Sequence, residues 1–230
     1  MKTFFKGIVK SLVVAAFVAG VGASATVVEG TDYQVLPKVI PNAEGTVIKV
    51  FSYDCPFCYK YDKAVTKPVM QKVPEMKFVP YHLATKGKFG VYGSELLATM
   101  IVLDETAGVD LLSDDSKFKK AKMAFYNAYH DKKERWGNDA SVQANVDAYL
   151  KVGLDAVGMS MDDYNKAKAD PKVAELTSKW GLDQQGDAYM VAKIQGVPAF
   201  VVNGKYLILT KSIKGIDDMA NKIKELNALK

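Results

Sequence analysis

Two cysteines and two histidines are all that this 230-residue sequence offers to disulfide bridges and metal ions. So few thiols exclude a disulfide-stapled scaffold. His82 and His130 stand 48 residues apart, far from the spacing of a zinc finger, and Tyr59 follows Cys58 where a c-type haem motif needs histidine. A two-sulfur site for a soft ion such as Cu(I) stays open. A membrane-length apolar run is missing too. The main candidate, Ser11 to Val21, has about 11 residues, against the roughly 20 that span a bilayer. It follows Lys2, Lys6 and Lys10 and precedes Ala23-Ser24-Ala25, the layout of an export signal over residues 1–25 cleaved after Ala25. A strong charge of one sign is absent as well. Without that segment's three lysines, 28 basic residues face 26 acidic ones, a net charge of +2, too weak to argue for nucleic acid. The remaining 205 residues suffice to bury a core without disulfide help.

What is present is concentrated in FSYDCPFCYKYDK, residues 51–63, which holds both cysteines as Cys55-x-x-Cys58. A bridge closing so short a loop removes little chain entropy, so the pair reads as chemistry, not as scaffolding. The preceding Thr46–Tyr53 alternates and is rich in β-branched and aromatic residues, a strand. Pro56 then opens a helical pattern with Cys55 at or just before its start, and Pro68 should kink that helix. Met76–Leu83 is a second strand, giving a β-α-β unit with a parallel crossover.

From about Gly90 to Ile194 the pattern is helical. Ser94, Asp139, Ser160 with Asp163, and Asp170 before Pro171 are candidate caps, and Phe118, Ala121, Phe125 and Ala128 share one face. Strands return in VPAFVVNGKYLIL, where Asn203-Gly204 marks a hairpin, and a helix over about Ile216–Leu229 ends the chain. DYQVLP near the start is a candidate edge strand.

A thiolate at a helix start faces unpaired N–H groups and the positive end of the helix dipole. The dipole is worth about 0.3–1 kcal/mol, up to about 2 when partly buried, enough to move an ordinary thiol pKa from about 8.5 toward 7. Going further requires direct N–H bonds from Phe57 and Cys58 to the Cys55 sulfur. A stabilised thiolate stabilises the reduced pair and makes its disulfide a stronger oxidant. Cys55, nearer the helix start and the more exposed, is the attacking and leaving sulfur; Cys58 resolves mixed disulfides.

CPFC after a strand, the β-α-β unit, a helical insertion and GVPAFVVNGKY about 140 residues later together resemble the DsbA family of bacterial thiol:disulfide oxidoreductases. Pro56-Phe57, IKVFSY, YHLATKG and YHDKKERW are most similar to its DsbL branch. The resemblance implies an α/β thioredoxin fold over residues 26–89 and 195–230 with an inserted all-helical domain over 90–194. It implies Cys55 as nucleophile, Cys58 as buried partner, and Pro198 as a cis-proline, which would leave the Val197 backbone open to an extended substrate. Further implications are a periplasmic, monomeric oxidase that donates its disulfide to reduced secreted proteins, with no metal and no cofactor beyond that disulfide. A DsbB- or DsbI-type membrane quinone oxidoreductase would reoxidise it, and the branch favours an aryl sulfotransferase as substrate.

Two residues depart from the family pattern. Asp54 is expected to turn to solvent, since pointing inward it would oppose the thiolate. Lys49 stands where family members often carry a buried acid, and either acts on the thiolate or snorkels to the sheet edge. His82 and His130 read as local caps or solvated residues, and Lys60, Lys63, Lys67 and Lys72 as a solvated basic face. Phe57, Phe89 and Met190 are candidates for the rim of a substrate groove. The rival functions are a disulfide isomerase or reductase, working from the reduced pair, and a non-enzymatic copper-binding chaperone.

Overall fold

The computed structural model describes residues 26–229; the expected export segment, 1–25, lies outside them. Five strands form one mixed sheet: β1 (Tyr33–Val35), β2 (Thr46–Phe51), β3 (Lys77–His82), β4 (Ala199–Val202) and β5 (Tyr206–Ile208), in the order β1-β5-β4-β2-β3. β2 and β3 are parallel, and the other neighbouring pairs are antiparallel. Every residue of β2 is buried, which accounts for its near-continuous apolar run: both faces are covered. The Asn203-Gly204 hairpin forms, both residues at positive φ (55° and 63°), the turn geometry that Asn-Gly favours. DYQVLP supplies the edge strand β1.

The helix opened by Pro56 divides into α1 (Pro56–Ala64) and α2 (Thr66–Gln71). The break falls at Val65, three residues before Pro68, because Pro68 brings no N–H to the helix and disfavours helical geometry just before it. Between β3 and β4 come α3 (Gly90–Thr106), α4 (Lys117–Tyr126), α5 (Gln143–Val157), α6 (Met161–Ala167), α7 (Pro171–Trp180) and α8 (Asp187–Gln195). After β5, α9 (Ile216–Ala228) packs beside α2 and β4. Ser160 and Asp170 cap their helices through bonds from the Asp163 and Lys172 amides, and Ser116 caps α4. Two other expected caps do not form. Ser94 lies a turn inside α3, fully buried, and Asp139 closes a turn with Ser141 instead of opening α5. The buried Asp104 on α3, accepting from Ser116 Oγ and the Lys117 and Phe118 amides, ties α3 to the start of α4.

This arrangement is a thioredoxin fold carrying a helical insertion. The register places Val50 opposite Ala199, so the chain entering β4 at Pro198 meets the chain leaving β2 toward Cys55.

Candidate active site

Cys55 and Cys58 form a disulfide, their Cα atoms 5.2 Å apart. Cys55 is the N-cap of α1 (φ −90°, ψ 110°), and the Cys58 N–H donates to its sulfur at 3.0 Å. Pro56 follows because the first helical position has no use for an N–H. Of the two amides expected on the Cys55 sulfur, the structure thus provides that of Cys58. Both cysteines are covered, Cys55 at 2% exposure and Cys58 at 0%, so Cys55 is less open than its place at the helix start suggests. The cover comes partly from Val197, whose carbonyl oxygen is 3.3 Å from the Cys55 sulfur. The Val197–Pro198 peptide is cis. Phe57 is 60% exposed, with Lys60 Nζ 5.4 Å from its ring centroid.

The turn that delivers Cys55 is held from several sides. The Tyr53 amide donates to His82 Nε2 at 3.3 Å, while His82 Nδ1 meets Ser94 Oγ at 2.8 Å. The Tyr53 carbonyl accepts from His130 Nε2 at 3.0 Å, and the Tyr53 hydroxyl accepts the Phe89 amide at 3.1 Å. His82 is neither solvated nor a helix cap, and His130, half-buried, is tied to the Tyr53 carbonyl and caps no helix. Burial holds His82 down to about 3, and burial also lowers the pKa of His130. His130 lies in a single π-helical turn, Asn127–Asp131, that continues α4, and its ring stacks on Tyr59, the residue after Cys58. The Tyr59 hydroxyl donates to Asp131 Oδ2 at 2.7 Å. The helical segment thereby grips the cysteine motif on both sides, through Tyr53 and Tyr59.

Asp54 does not turn to solvent. Its side chain is 13% exposed, accepts from Ser52 Oγ at 3.0 Å and lies 3.5 Å from Lys86 Nζ, so its charge is partly balanced by neighbours of its own. Lys49 does not snorkel. It is fully buried, 2.7 Å from Asp62 Oδ1 and 3.0 Å from Thr66 Oγ1. Desolvation lowers its pKa to about 8 despite Asp62, while Lys122 and Lys49 together overcome burial to hold Asp62 down to about 2. Asp62 and Lys122 were not singled out in the sequence; the signal available was Asp62 at i+4 from Cys58.

The basic face is partly neutralised. Lys63, Lys67 and Lys72 reach Asp131, Asp114 and Asp217 at 3.9, 3.6 and 2.9 Å. Phe89, expected at a groove rim, is 1% exposed and stacks on Tyr149 at 5.0 Å; Met190 is half-buried. A cavity of about 370 Å³ adjoins the motif, walled by Tyr53, Asp54, Lys88, Arg135 and Trp136. Another cavity, about 840 Å³, runs along α2 and β3 between Lys67 and Ser113, and the cysteines do not line it. Among the described residues, no group of three or more His, Cys, Asp or Glu is positioned to hold a metal ion.

Known proteins resemble this chain over most of its length. The family model described as DSBA-like thioredoxin domain matches residues 46–226. The thiol:disulfide interchange protein DsbL of Lelliottia amnigena is 54% identical over 226 residues, 97% of each chain. The thiol:disulfide interchange protein DsbA of Salmonella typhimurium is 30% identical over 86% of this chain and 84% of its own. The crystal structure of Salmonella enterica serovar Typhimurium DsbL superposes with a TM-score of 0.82 at 56% identity, covering 90% of this chain and all of that one.

Proposed function

The chain belongs to the DsbA-like family of thiol:disulfide interchange proteins, and on that premise we propose that it is a dithiol oxidase, giving its Cys55–Cys58 disulfide to reduced exported proteins. The observation that carries the proposal is the Cys58 N–H on the Cys55 sulfur at the start of α1. A hydrogen bond to a charged group contributes about 1.5–3 kcal/mol, and this bond, present on the disulfide, reaches that strength in the reduced form alone, because only there is the sulfur an anion.

A substrate thiolate attacks the Cys55 sulfur. The S–S bond breaks, its electron pair goes to Cys58, and Cys58 takes a proton. A second substrate thiolate then attacks the substrate sulfur of the mixed disulfide, and Cys55 leaves as the thiolate that the Cys58 amide and the helix start hold. The substrate leaves with a new disulfide and the protein with two cysteines reduced. The low-pKa sulfur is the better leaving group in this second step.

Val197 lies beside Cys55 with its carbonyl at 3.3 Å, suited to pair with an extended substrate backbone, and Pro198 fixes that strand entry. Exposed Pro56 and Phe57 meet the substrate next to its cysteine. Asp54 and Lys49 act on the Cys55 thiolate at a distance, through charge. The disulfide itself is the only redox group the reaction requires. In the fuller reading the protein works as a periplasmic monomer after loss of residues 1–25. A DsbB- or DsbI-type membrane quinone oxidoreductase reoxidises it, and an aryl sulfotransferase is a preferred substrate. That relatives are named DsbL supports this reading.

The test is disulfide transfer to a reduced, unfolded protein substrate. Cys55→Ser abolishes transfer, and Cys58→Ala, first loaded at Cys55 with glutathione from glutathione disulfide, exchanges that glutathione for the substrate thiol and holds a Cys55–substrate mixed disulfide that gel electrophoresis without reductant detects. Transfer surviving in Cys55→Ser contradicts the mechanism.

A further inference from the structure

Asp62 stands four residues after Cys58 on α1, and that spacing puts the two side chains on one face of the helix, about 5–6 Å apart at Cβ. Its carboxylate, 3% exposed, has two ammonium partners. Lys49 Nζ reaches Oδ1 from β2 at 2.7 Å and Lys122 Nζ reaches the same oxygen from α4 at 3.1 Å, the lysine side chains being 0% and 4% exposed. The Tyr126 hydroxyl donates to Oδ2 at 3.0 Å, and Lys49 also donates to Thr66 Oγ1. The remaining walls are aromatic: Phe200 against Lys49, Phe51 and Phe118 against Lys122. Among the described residues, Asp62 is the only carboxylate within ion-pair distance of either lysine.

Two positive charges on one negative leave the cluster with a surplus of one in a dry interior. Such a charge is costly unless an opposite one forms nearby, and reduction of the disulfide supplies it. A dithiol donor gives two electrons and two protons. The Cys55–Cys58 bond breaks, Cys58 keeps one proton, the other goes to solvent, and Cys55 remains as thiolate.

We propose that Lys122, contributed by the helical segment between β3 and β4, is a positioning residue of the redox site: with Lys49 it holds, through Asp62, a surplus positive charge behind Cys58 that favours the reduced, thiolate-bearing form of the pair. The inference rests on thiol–disulfide interchange as such and holds whether the protein oxidises or reduces its substrates. The hydrogen bond at the helix start acts on Cys55 from its own turn, whereas Lys122 lets the helical segment set the potential from behind.

The test compares Lys122→Met and Lys122→Arg in the mature chain. The readouts are the equilibrium constant with glutathione, the thiolate titration followed by ultraviolet absorbance, and circular dichroism as the check on folding. Removing a unit charge from the layer behind the pair, at an effective dielectric near 20, changes the constant on the order of tenfold, equivalent to about 30 mV. Lys122→Met therefore yields a pair about tenfold less oxidising, with a raised Cys55 pKa, while Lys122→Arg stays within about twofold of the parent. A folded Lys122→Met with the parent's constant and titration overturns the proposal, as does Lys122→Arg shifting as far as Lys122→Met.

Should Lys122→Met fail to fold, the parent protein decides. Lys49 then sheds its proton near pH 8 in the oxidised form and keeps it beside the thiolate in the reduced form. Around that pH the uptake on reduction rises from one proton per two electrons toward two, once glutathione's own titration is subtracted. Constant one-proton uptake through about pH 9 contradicts the surplus charge.

Discussion

His82 offers a sharp test of how the cysteine turn is held. Its ring is fully buried, accepts the Tyr53 amide through Nε2 and meets Ser94 through Nδ1, and burial lowers its pKa from 6.5 to about 3. Above pH 6.5 folded and unfolded chains both carry it neutral, and it makes no pH-dependent contribution. As pH falls below 6.5 the unfolded chain binds a proton that the folded chain refuses until about pH 3, so stability drops across that window. At pH 5 the difference is 1.5 units below the unfolded value, or about 2 kcal/mol at about 1.4 kcal/mol per unit. Urea unfolding of the parent and of His82→Gln, at about pH 7.5 and at pH 5, measures it. Glutamine can accept the Tyr53 amide through its carbonyl but carries no titrating group. His82→Gln is expected to start less stable and to lose about 2 kcal/mol less than the parent on acidification; carboxylates and His130 cancel in the comparison. Equal losses in the two proteins would refute a buried, neutral His82.

Two further substitutions probe the frame around the site. Asp62→Asn leaves two buried ammoniums without a counter-charge and destabilises the fold by about 3–5 kcal/mol, a loss that urea unfolding shows shrinking as pH rises toward about 8, because Lys49 without Asp62 gives up its proton at lower pH than in the parent. Gly90→Ala puts a Cβ 2.0 Å from the Ala84 carbonyl oxygen, a backbone contact that cannot yield cheaply. It costs at least about 1–3 kcal/mol, visible as a lower urea midpoint, against about 1–2 kcal/mol for Gly158→Ala, where φ is +65° but the space is open.

The strands and the redox pair were legible because their signals are local. Thr46–Phe51 is rich in β-branched and aromatic residues, Pro56 marks a helix start and Asn203-Gly204 marks a hairpin, each decided by its own few residues. The cysteine spacing, read with GVPAFVVNGKY, was enough to assign the fold. Boundaries slipped where tertiary contacts outweighed local preference. Ser94 has the chemistry of a cap, yet α3 begins a turn earlier and the hydroxyl is used by His82. Lys49, Asp54 and Phe89 could not be placed from the sequence for one reason: their surroundings are assembled from distant segments. A lysine on a strand snorkels unless an acid meets it in the interior, and that acid, Asp62, and the second lysine, Lys122, come from helices 13 and 73 residues away. His130 was hidden in the same way, since its link to Tyr53 spans 77 residues.

The central claim is that the start of α1 stabilises the Cys55 thiolate and so makes the disulfide one to be given away. The most direct measurement is the equilibrium reduction potential of the Cys55–Cys58 pair in glutathione buffers, followed by intrinsic fluorescence or thiol trapping. A donor lies well above the roughly −180 to −210 mV poise of an oxidising compartment, and that is the result expected. A potential near about −270 mV, where thioredoxin stands, would contradict the account and make the protein a reductant.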